Sequence, residues 1–284
     1  MVIDAHQHFW RYDPVRDGWI TDQMSLLKRD FLPHELLPQL AANGVDGCIA
    51  VQADQSEEET MFLLELASQH RQIVCVVGWV DMTAANLGQR LEYFSQFKKL
   101  RGFRHIAQSE PDDWFLTRED FCRGIGLLNS FNFTYDILIY PKQLPAAIKL
   151  VERFPEQRFV LDHMAKPEIR NAEIKSWADD IRTLASHNNT YCKLSGMVTE
   201  ANWKDWSREQ FSHYLDVVFD AFGPDRLMFG SDWPVCLLAA EYKQVKQLVT
   251  DCARDLPDEQ QQNIFGLNAS RFYGLEPMQY GSSS

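Results

Sequence analysis

Eight short apolar runs recur along the chain, and their spacing constrains the fold more than any other feature. Most are continuous apolar stretches rather than strict alternations, which is typical of parallel strands buried on both faces. Segments long enough for a helix separate them. We assign strands to residues 2–5, 47–51, 73–80, 100–105, 133–139, 158–163, 190–196 and 226–232.

Helical patterns fill the segments between these strands. Ser56 and Glu59 predict a capping box, after which apolar residues fall on one helical face. Eight strand–helix alternations in 284 residues favour an α/β fold of the (β/α)8 barrel type, with a doubly wound open sheet as the alternative. Further helices are predicted near residues 83–98, 117–130, 141–153, 171–187, 205–222, 239–254 and 258–265.

One domain accounts for the whole barrel. A hydrophobic content of 45% is ample for one large core, and no repeat, low-complexity tract or linker divides the chain. We assign residues 1–275 to the barrel and residues 276–284 to a C-terminal tail.

Charge and cysteine content exclude several classes of protein. The net charge of −12 argues against a nucleic-acid backbone or an anionic membrane surface as partner. No segment approaches roughly 18 consecutive apolar residues, and the N-terminus lacks a signal-peptide pattern, so we expect no membrane span and a cytoplasmic location. The six cysteines show no C-x-x-C spacing and are expected to be reduced.

Polar residues at the carboxyl ends of the strands are the candidates for an active site, because these ends meet at one mouth of a barrel. His6 and His8 end the first strand and share a face, since side chains two residues apart on a strand point the same way. His163 ends the sixth strand and Asp232 the eighth. Three imidazoles and a carboxylate suit a divalent ion that also carries water, most plausibly zinc.

The other strand ends offer hydrogen-bond donors and acceptors for binding a polar substrate. An oxyanion that forms at this mouth would face either the metal or Arg104, with His163 or Lys193 in support. Aromatic residues in the long segment after the first strand, Trp10, Tyr12 and Trp19, either cover a sugar face or pack internally. The candidate substrate-binding residues are Gln52, Trp79, Arg104, His105, Asp136, Tyr140, Lys193 and Ser195, with Lys166 just beyond the sixth strand.

Several titratable residues are expected to serve the structure rather than the chemistry. We expect Asp4 to be a buried hydrogen-bonding group, and Asp162 to point away from the mouth because it neighbours His163. The remaining histidines are assigned to solvent or helix ends: His34, His70, His187 and His213.

Five stretches of the chain together resemble the amidohydrolase superfamily, and within it the sugar-lactone hydrolase branch that includes L-fuconolactonases. The stretches are "DAHQHFW", "LRGFRH", "VLDHMAKP", "CKLSGMVTEA" and "LMFGSDWPV". The resemblance implies a distorted (β/α)8 barrel, the strand-1 pair His6 and His8, the strand-6 histidine His163, and Asp232 as the strand-8 general base. One departure is the end of strand 5, which reads "YDILIYPKQ" where many metal-dependent members have a histidine.

The resemblance implies a hydrolase that opens a sugar lactone by attack of water, with L-fuconolactone or a close relative as the leading small-molecule substrate. It allows both a divalent metal held by His6, His8 and Asp232 and a metal-free reaction in which the histidines donate hydrogen bonds. By its chemistry, Asp232 can accept the proton of water and return it to the leaving ring oxygen. The alternatives are a metal-dependent non-oxidative decarboxylase on the same barrel and a sugar-binding protein without turnover.

Overall fold

Eight parallel strands form one sheet in sequential order, and this sheet curls into a barrel. The computed structural model describes residues 1–275, so the predicted tail of residues 276–284 lies outside the described residues. Each strand is hydrogen-bonded to the next along the chain, which confirms the predicted (β/α)8 barrel. Within the described residues the strands are β1 (Ile3–Gln7), β2 (Gly47–Val51), β3 (Ile73–Gly78), β4 (Leu100–His105), β5 (Thr134–Ile137), β6 (Phe159–Leu161), β7 (Thr190–Leu194) and β8 (Leu227–Phe229).

Helices surround the barrel, and most lie within the predicted segments. The helix Pro33–Ala42 was not predicted; it contains Pro38, a residue that normally disfavours a helix interior. No helix of residues 1–275 is long and apolar enough to cross a membrane. The α-helices in this part of the chain are α1 (Pro33–Ala42), α2 (Glu57–Gln69), α3 (Leu87–Phe94), α4 (Glu119–Leu128), α5 (Leu144–Arg153), α6 (Lys175–Ala185), α7 (Met197–Glu200), α8 (Arg208–Phe222), α9 (Tyr242–Ala253), α10 (Asp258–Gln262) and α11 (Asn268–Tyr273).

The barrel closes between its first and last strands through side-chain as well as backbone contacts. Asp4 on β1 accepts hydrogen bonds from the backbone N–H of Ser231 (2.8 Å), the Ser231 hydroxyl (2.6 Å) and the Tyr242 hydroxyl (3.0 Å). Just above, the His8 N–H donates to the Trp233 carbonyl (2.7 Å). Asp4 is therefore the buried hydrogen-bonding group that the sequence predicts, and it fixes the chain on which Asp232 stands.

The end of the barrel opposite the carboxyl ends of the strands is filled by apolar side chains and plugged by α11. Inward-facing residues such as Ile49, Val77 and Met228 form one buried cluster with Phe272 and Tyr273 of α11. Because α11 lies beyond the last predicted helix, this plug is not expected from the sequence. The polar site consequently lies on a packed floor rather than over an open channel.

The loop between β2 and α2 is held by a buried carboxylate. Ser56 caps α2 by accepting from the Glu59 N–H (3.1 Å), but the Glu59 side chain does not return to Ser56, so only half of the predicted capping box forms. Glu59 accepts instead from the backbone N–H groups of Ala53 (2.5 Å) and Asp54 (3.0 Å). These bonds fix the loop of residues 53–55, which lines a cavity at the carboxyl ends of the strands.

Glu59 makes the stability of the fold depend on pH. Burial raises its pKa from 4.5 to about 7, against the opposing effect of its two backbone donors and with Asp54 and Arg16 as the nearest charges. Because the folded-state pKa is raised, the stabilising contribution of protonated Glu59 declines as pH rises from about 4.5 through about 7. Glu59→Gln keeps the acceptor oxygen without the charge. We expect this variant to match the wild type in free energy of unfolding near pH 4 and to exceed it by about 3 kcal/mol at pH 8.

Urea unfolding across this pH range measures the effect. Glu58→Gln, at an exposed position on the same turn, is the control for loss of a charge. If the free energies of unfolding of the wild type and Glu59→Gln change with pH in the same way, Glu59 is not the titrating group.

Candidate active site

An irregularity in β1 turns His6 and His8 into the barrel. Ile3 and Ala5 face the interior cluster, so strict alternation would send His6 outward. The pairing of β1 with β2 shifts register between Asp4 and Gln7, which is the mark of a bulge. His6 and His8 end with their Nε2 atoms 3.2 Å apart, as the H-x-H spacing predicts.

His163 reaches the same place through a left-handed turn. Four consecutive residues that are not glycine have positive φ: His163 (53°), Met164 (54°), Ala165 (58°) and Lys166 (49°). Each such residue costs roughly 1–2 kcal/mol relative to the right-handed conformation, so the turn is strain held by its surroundings. Strain of this kind is concentrated at functional sites.

Neighbouring loops are shaped to receive the His163 ring. The Ser195 hydroxyl lies 2.8 Å from His163 Nδ1, which leaves Nε2 to face the site. Gly196 (φ 67°) packs against the ring, and a Cβ there would lie 2.5 Å from His163 Nδ1. The "KLSG" motif thus supplies both the partner of the imidazole and the space for it.

Asp162 points into the barrel, which corrects the expectation that it would point away. Val160 faces the interior and Asp162, two residues on, shares that face. The left-handed turn begins at His163, so the neighbouring residue can face the site as well. Asp162 contacts Arg104 (3.0 Å), Lys193 (3.0 Å) and His6 Nδ1 (3.3 Å).

The carboxylate of Asp232 faces all three imidazoles. Its Oδ1 lies 3.4 Å from His8 Nε2, 3.8 Å from His163 Nε2 and 3.9 Å from His6 Nε2. Ligand atoms bound tetrahedrally at roughly 2.0–2.1 Å from one ion lie roughly 3.3–3.4 Å apart, close to these separations. His6, His8 and Asp232 therefore have the spacing of a site for one divalent cation, and His163 lies beside them.

The hydrogen bonds behind the site also fit a cation. His8 Nδ1 lies 2.8 Å from the Val51 carbonyl and must carry a proton to donate to it, which leaves His8 Nε2 as the nitrogen that faces Asp232. Outer partners such as Val51 and Ser195 are typical of histidines that bind metal.

Burial and charge set the protonation of these groups. Burial lowers the pKa of His6 and of His163 well below 6.5, so both rings are neutral near pH 7. Burial alone would raise the pKa of Asp232, but His163, His8 and Lys166 outweigh it and the pKa is lowered. Asp232 is therefore an ionised carboxylate, able to accept a proton or to bind a cation.

A buried network of charges supports His6 from within the barrel. Lys193 Nζ lies 2.5 Å from Asp136, 3.0 Å from Asp162 and 3.2 Å from His6 Nδ1. The Tyr273 hydroxyl of α11 donates to Asp136 (2.9 Å), which ties the network to the plug of the barrel. These charged groups compensate one another within the barrel.

The structure separates the sequence-predicted substrate-binding residues into three groups. Arg104 lines the cavity, but its guanidinium already pairs with Asp162 and with the carbonyl and side chain of Gln52. Within the described residues, Gln52, Asp136 and Lys193 are fully buried and are not among those that line the cavity. Their contacts are to other protein groups.

Trp79 and His105 form a third group, away from the cavity wall. His105 stacks on Phe115 and bonds to Glu110 (2.6 Å), and the Trp79 indole N–H lies 3.4 Å from His105 Nδ1. Arg104 and His105 are adjacent on β4 and so face opposite sides of the sheet.

The cavity above Asp232 has a volume of about 570 Å³, within the range of small-molecule sites. The sequence leaves open whether the aromatic residues after β1 contact a substrate or pack internally. Trp10 and Trp19 lie on the cavity wall, and Trp10 is also buried and donates to the Arg29 carbonyl (2.9 Å). Tyr140, named from the sequence, lies there too. Lys166, also named from the sequence, lies on the wall as well, whereas the sequence predicts no role for several other polar or aromatic residues of the wall: Arg16, Asp54, Gln55, Glu200 and Trp203.

A barrel with an H-x-H pair on its first strand and an aspartate after its eighth defines a class of hydrolase. The family model described as amidohydrolase matches residues 3–275, and the chain belongs to this family. The chain is 42% identical over 284 residues to L-fucono-1,5-lactonase of Burkholderia multivorans, covering 96% of each protein. It is 35% identical over 280 residues to L-fucono-1,5-lactonase of Burkholderia ambifaria, again covering 96% of each.

Solved structures agree with this assignment. A crystal structure of an amidohydrolase from Burkholderia multivorans with bound zinc is 42% identical and has a TM-score of 0.94, covering 97% of this chain and 100% of that one. A crystal structure of 2,6-dihydroxybenzoate decarboxylase is 14% identical with a TM-score of 0.68, a likeness that carries the fold alone. The decarboxylase alternative thus has only distant relatives in its favour.

Proposed function

We propose that this chain hydrolyses a sugar lactone to the aldonic acid, with L-fucono-1,5-lactone or a close stereochemical relative as its substrate. The observation that carries the proposal is the carboxylate of Asp232 facing three imidazoles at the base of a cavity. The full-length similarity to two L-fucono-1,5-lactonases supports the choice of substrate. A sugar-binding protein without turnover would have no use for this base.

The reaction needs one group that moves a proton twice. Asp232 accepts a proton from the attacking water while the water oxygen forms a bond to the lactone carbonyl carbon. The bond from that carbon to the ring oxygen then breaks, and Asp232 returns the proton to the departing ring oxygen. Asp232 suits both steps because it is ionised, and the backbone N–H of Asp232 donates to the His6 carbonyl (2.8 Å), which fixes it.

We propose further that His6, His8 and Asp232 hold one divalent cation, with His163 as the fourth ligand or as a hydrogen-bond donor to the substrate. Zinc is the leading ion, given the donor set and the zinc-bound relative. When bound, the cation polarises the lactone carbonyl as a Lewis acid. A second cluster, His6, Asp162 and His163, is the weaker candidate because Asp162 is already paired with Arg104 and Lys193.

Acid release from a panel of five- and six-membered aldonolactones, followed with a pH indicator beside the uncatalysed rate, tests the function. We expect turnover of L-fucono-1,5-lactone and none of carboxylated aromatic acids. Decarboxylation of an aromatic acid with no lactone opened would replace the proposal by its alternative. We also propose a cytoplasmic location, and the cysteines, all of which are free in the described residues, support it.

The metal is tested on the same preparation. Protein purified without chelator should contain about one equivalent of a divalent ion, measured by elemental analysis, and His8→Ala should abolish this content while the fold survives. Replacing His213, an exposed histidine on α8, with alanine is the control. Metal-free protein with full activity would assign the histidines to hydrogen bonding with the substrate and leave Asp232 in its role.

A further inference from the structure

Two oppositely charged side chains on the cavity wall form no hydrogen bond or ion pair with any other group of residues 1–275. Glu200 is the last residue of α7, after β7, and Lys166 ends the left-handed turn after β6. Both are half-buried and both line the cavity. Within residues 1–275 neither side chain makes a hydrogen bond or an ion pair, although the Lys166 ammonium lies 5.6 Å from the centre of the Tyr140 ring.

The segments that carry these two residues are firmly held. The Thr199 hydroxyl donates to the Gly196 carbonyl (2.8 Å), and the Trp203 indole N–H donates to the Thr199 carbonyl (2.9 Å). Lys166 is followed by Pro167, and its own N–H donates to the His163 carbonyl (2.8 Å). Both charged groups are therefore pre-positioned on rigid backbone, which is what a recognition site requires.

Their chemistry complements a polyhydroxylated ring. A carboxylate only accepts hydrogen bonds and an ammonium only donates them, whereas each sugar hydroxyl can do both. A charged group that is partly buried and has no hydrogen-bond partner has lost part of its hydration, which costs free energy. A ligand that supplies a hydrogen-bond partner recovers this free energy. A site built in this way rejects analogues that lack the hydroxyls, because the charges are then left unpaired.

We propose that Glu200 accepts hydrogen bonds from hydroxyls of the bound lactone while Lys166 donates to them, and that this pair selects polyhydroxylated lactones over unsubstituted ones. The proposal rests on the lactonase function proposed above and names the residues that set its specificity. Glu200 and Lys166 thus bind the substrate at its hydroxyls, whereas Asp232 acts at its carbonyl.

The test compares kcat/KM for L-fucono-1,5-lactone with kcat/KM for unsubstituted δ-valerolactone. Glu200→Ala and Lys166→Met should each lower the ratio of the two by roughly 10–100-fold, the effect of losing a hydrogen bond to a charged group. The decrease should affect kcat/KM for the sugar lactone and arise mainly from a higher KM. Glu200→Gln keeps one acceptor oxygen, so its kcat/KM should decrease less than that of Glu200→Ala. Glu92→Gln and Lys243→Met, both exposed, are the matched controls and should keep the wild-type ratio.

The possible failures are distinguishable. If the wild type opens neither lactone, the proposed function itself fails. If the wild type opens the sugar lactone but Glu200→Ala keeps the wild-type ratio, or slows both substrates equally, the recognition role of the pair is wrong while the function stands.

Discussion

Asp232→Asn will lower kcat for lactone opening by roughly 10²–10⁴-fold, the range attributed to general acid–base catalysis. Asparagine keeps the size of the side chain and an acceptor oxygen, but it cannot take the proton of water. The backbone at Asp232 has a φ of 57°, and asparagine tolerates this left-handed conformation as well as aspartate does. The fold and substrate binding should therefore persist, which circular dichroism and KM would report.

A matched control makes this loss specific. Asp220→Asn changes an exposed aspartate on α8 and should leave kcat within about twofold of the wild type, as is usual for surface changes. If folded Asp232→Asn kept more than about a tenth of the wild-type kcat, the base would have to be another residue.

Lys193→Met should destabilise the folded protein by about 3–5 kcal/mol, the usual cost of removing one partner from a buried ion pair. Lys193 is fully buried, and Asp136 and Asp162 outweigh that burial and raise its pKa, so it is a cation. Methionine fills similar space but leaves two buried carboxylates with less compensation. Urea denaturation measures the change, and exposed Lys243→Met should stay within about 0.5 kcal/mol of the wild type.

A second substitution tests the cause of that loss. If the cost comes from uncompensated carboxylate charge, adding Asp136→Asn to Lys193→Met should recover part of the lost stability, because one of the two carboxylates is gone. If the losses in free energy of unfolding caused by Lys193→Met and Asp136→Asn simply add, packing around Lys193, rather than charge balance, holds the barrel together.

The strands and the convergence of His6, His8, His163 and Asp232 could be predicted from the sequence because both depend on short patterns. A continuous apolar run such as "GCIAV" predicts β2 whatever its neighbours, and β2 is fully buried as expected. The H-x-H pair and the aspartate after β8 are local signals of the same kind. Their convergence follows from the barrel alone, since the carboxyl ends of parallel strands meet at one mouth.

Which polar residues reach the cavity depends on features that the sequence does not display. Arg104 and His105 both end β4, but only one can face inward, and the run "LRGFRH" has no alternation that reveals which. The left-handed turn that begins at His163 contains no glycine that would indicate it in the sequence. The expectation that Asp162 points away from the barrel mouth is therefore wrong. Glu200 lies well beyond the end of β7, where no strand pattern points to the mouth.

The path of oxygen from water to product tests the central claim most directly. Wild-type protein acting on L-fucono-1,5-lactone in water enriched in the heavy oxygen isotope should form L-fuconate faster than the uncatalysed reaction, with one heavy oxygen in the carboxyl group. That result follows from attack of water on the carbonyl carbon with Asp232 as base. Absence of any catalysed incorporation, or incorporation at the alcohol carbon instead of the carboxyl group, would contradict the account.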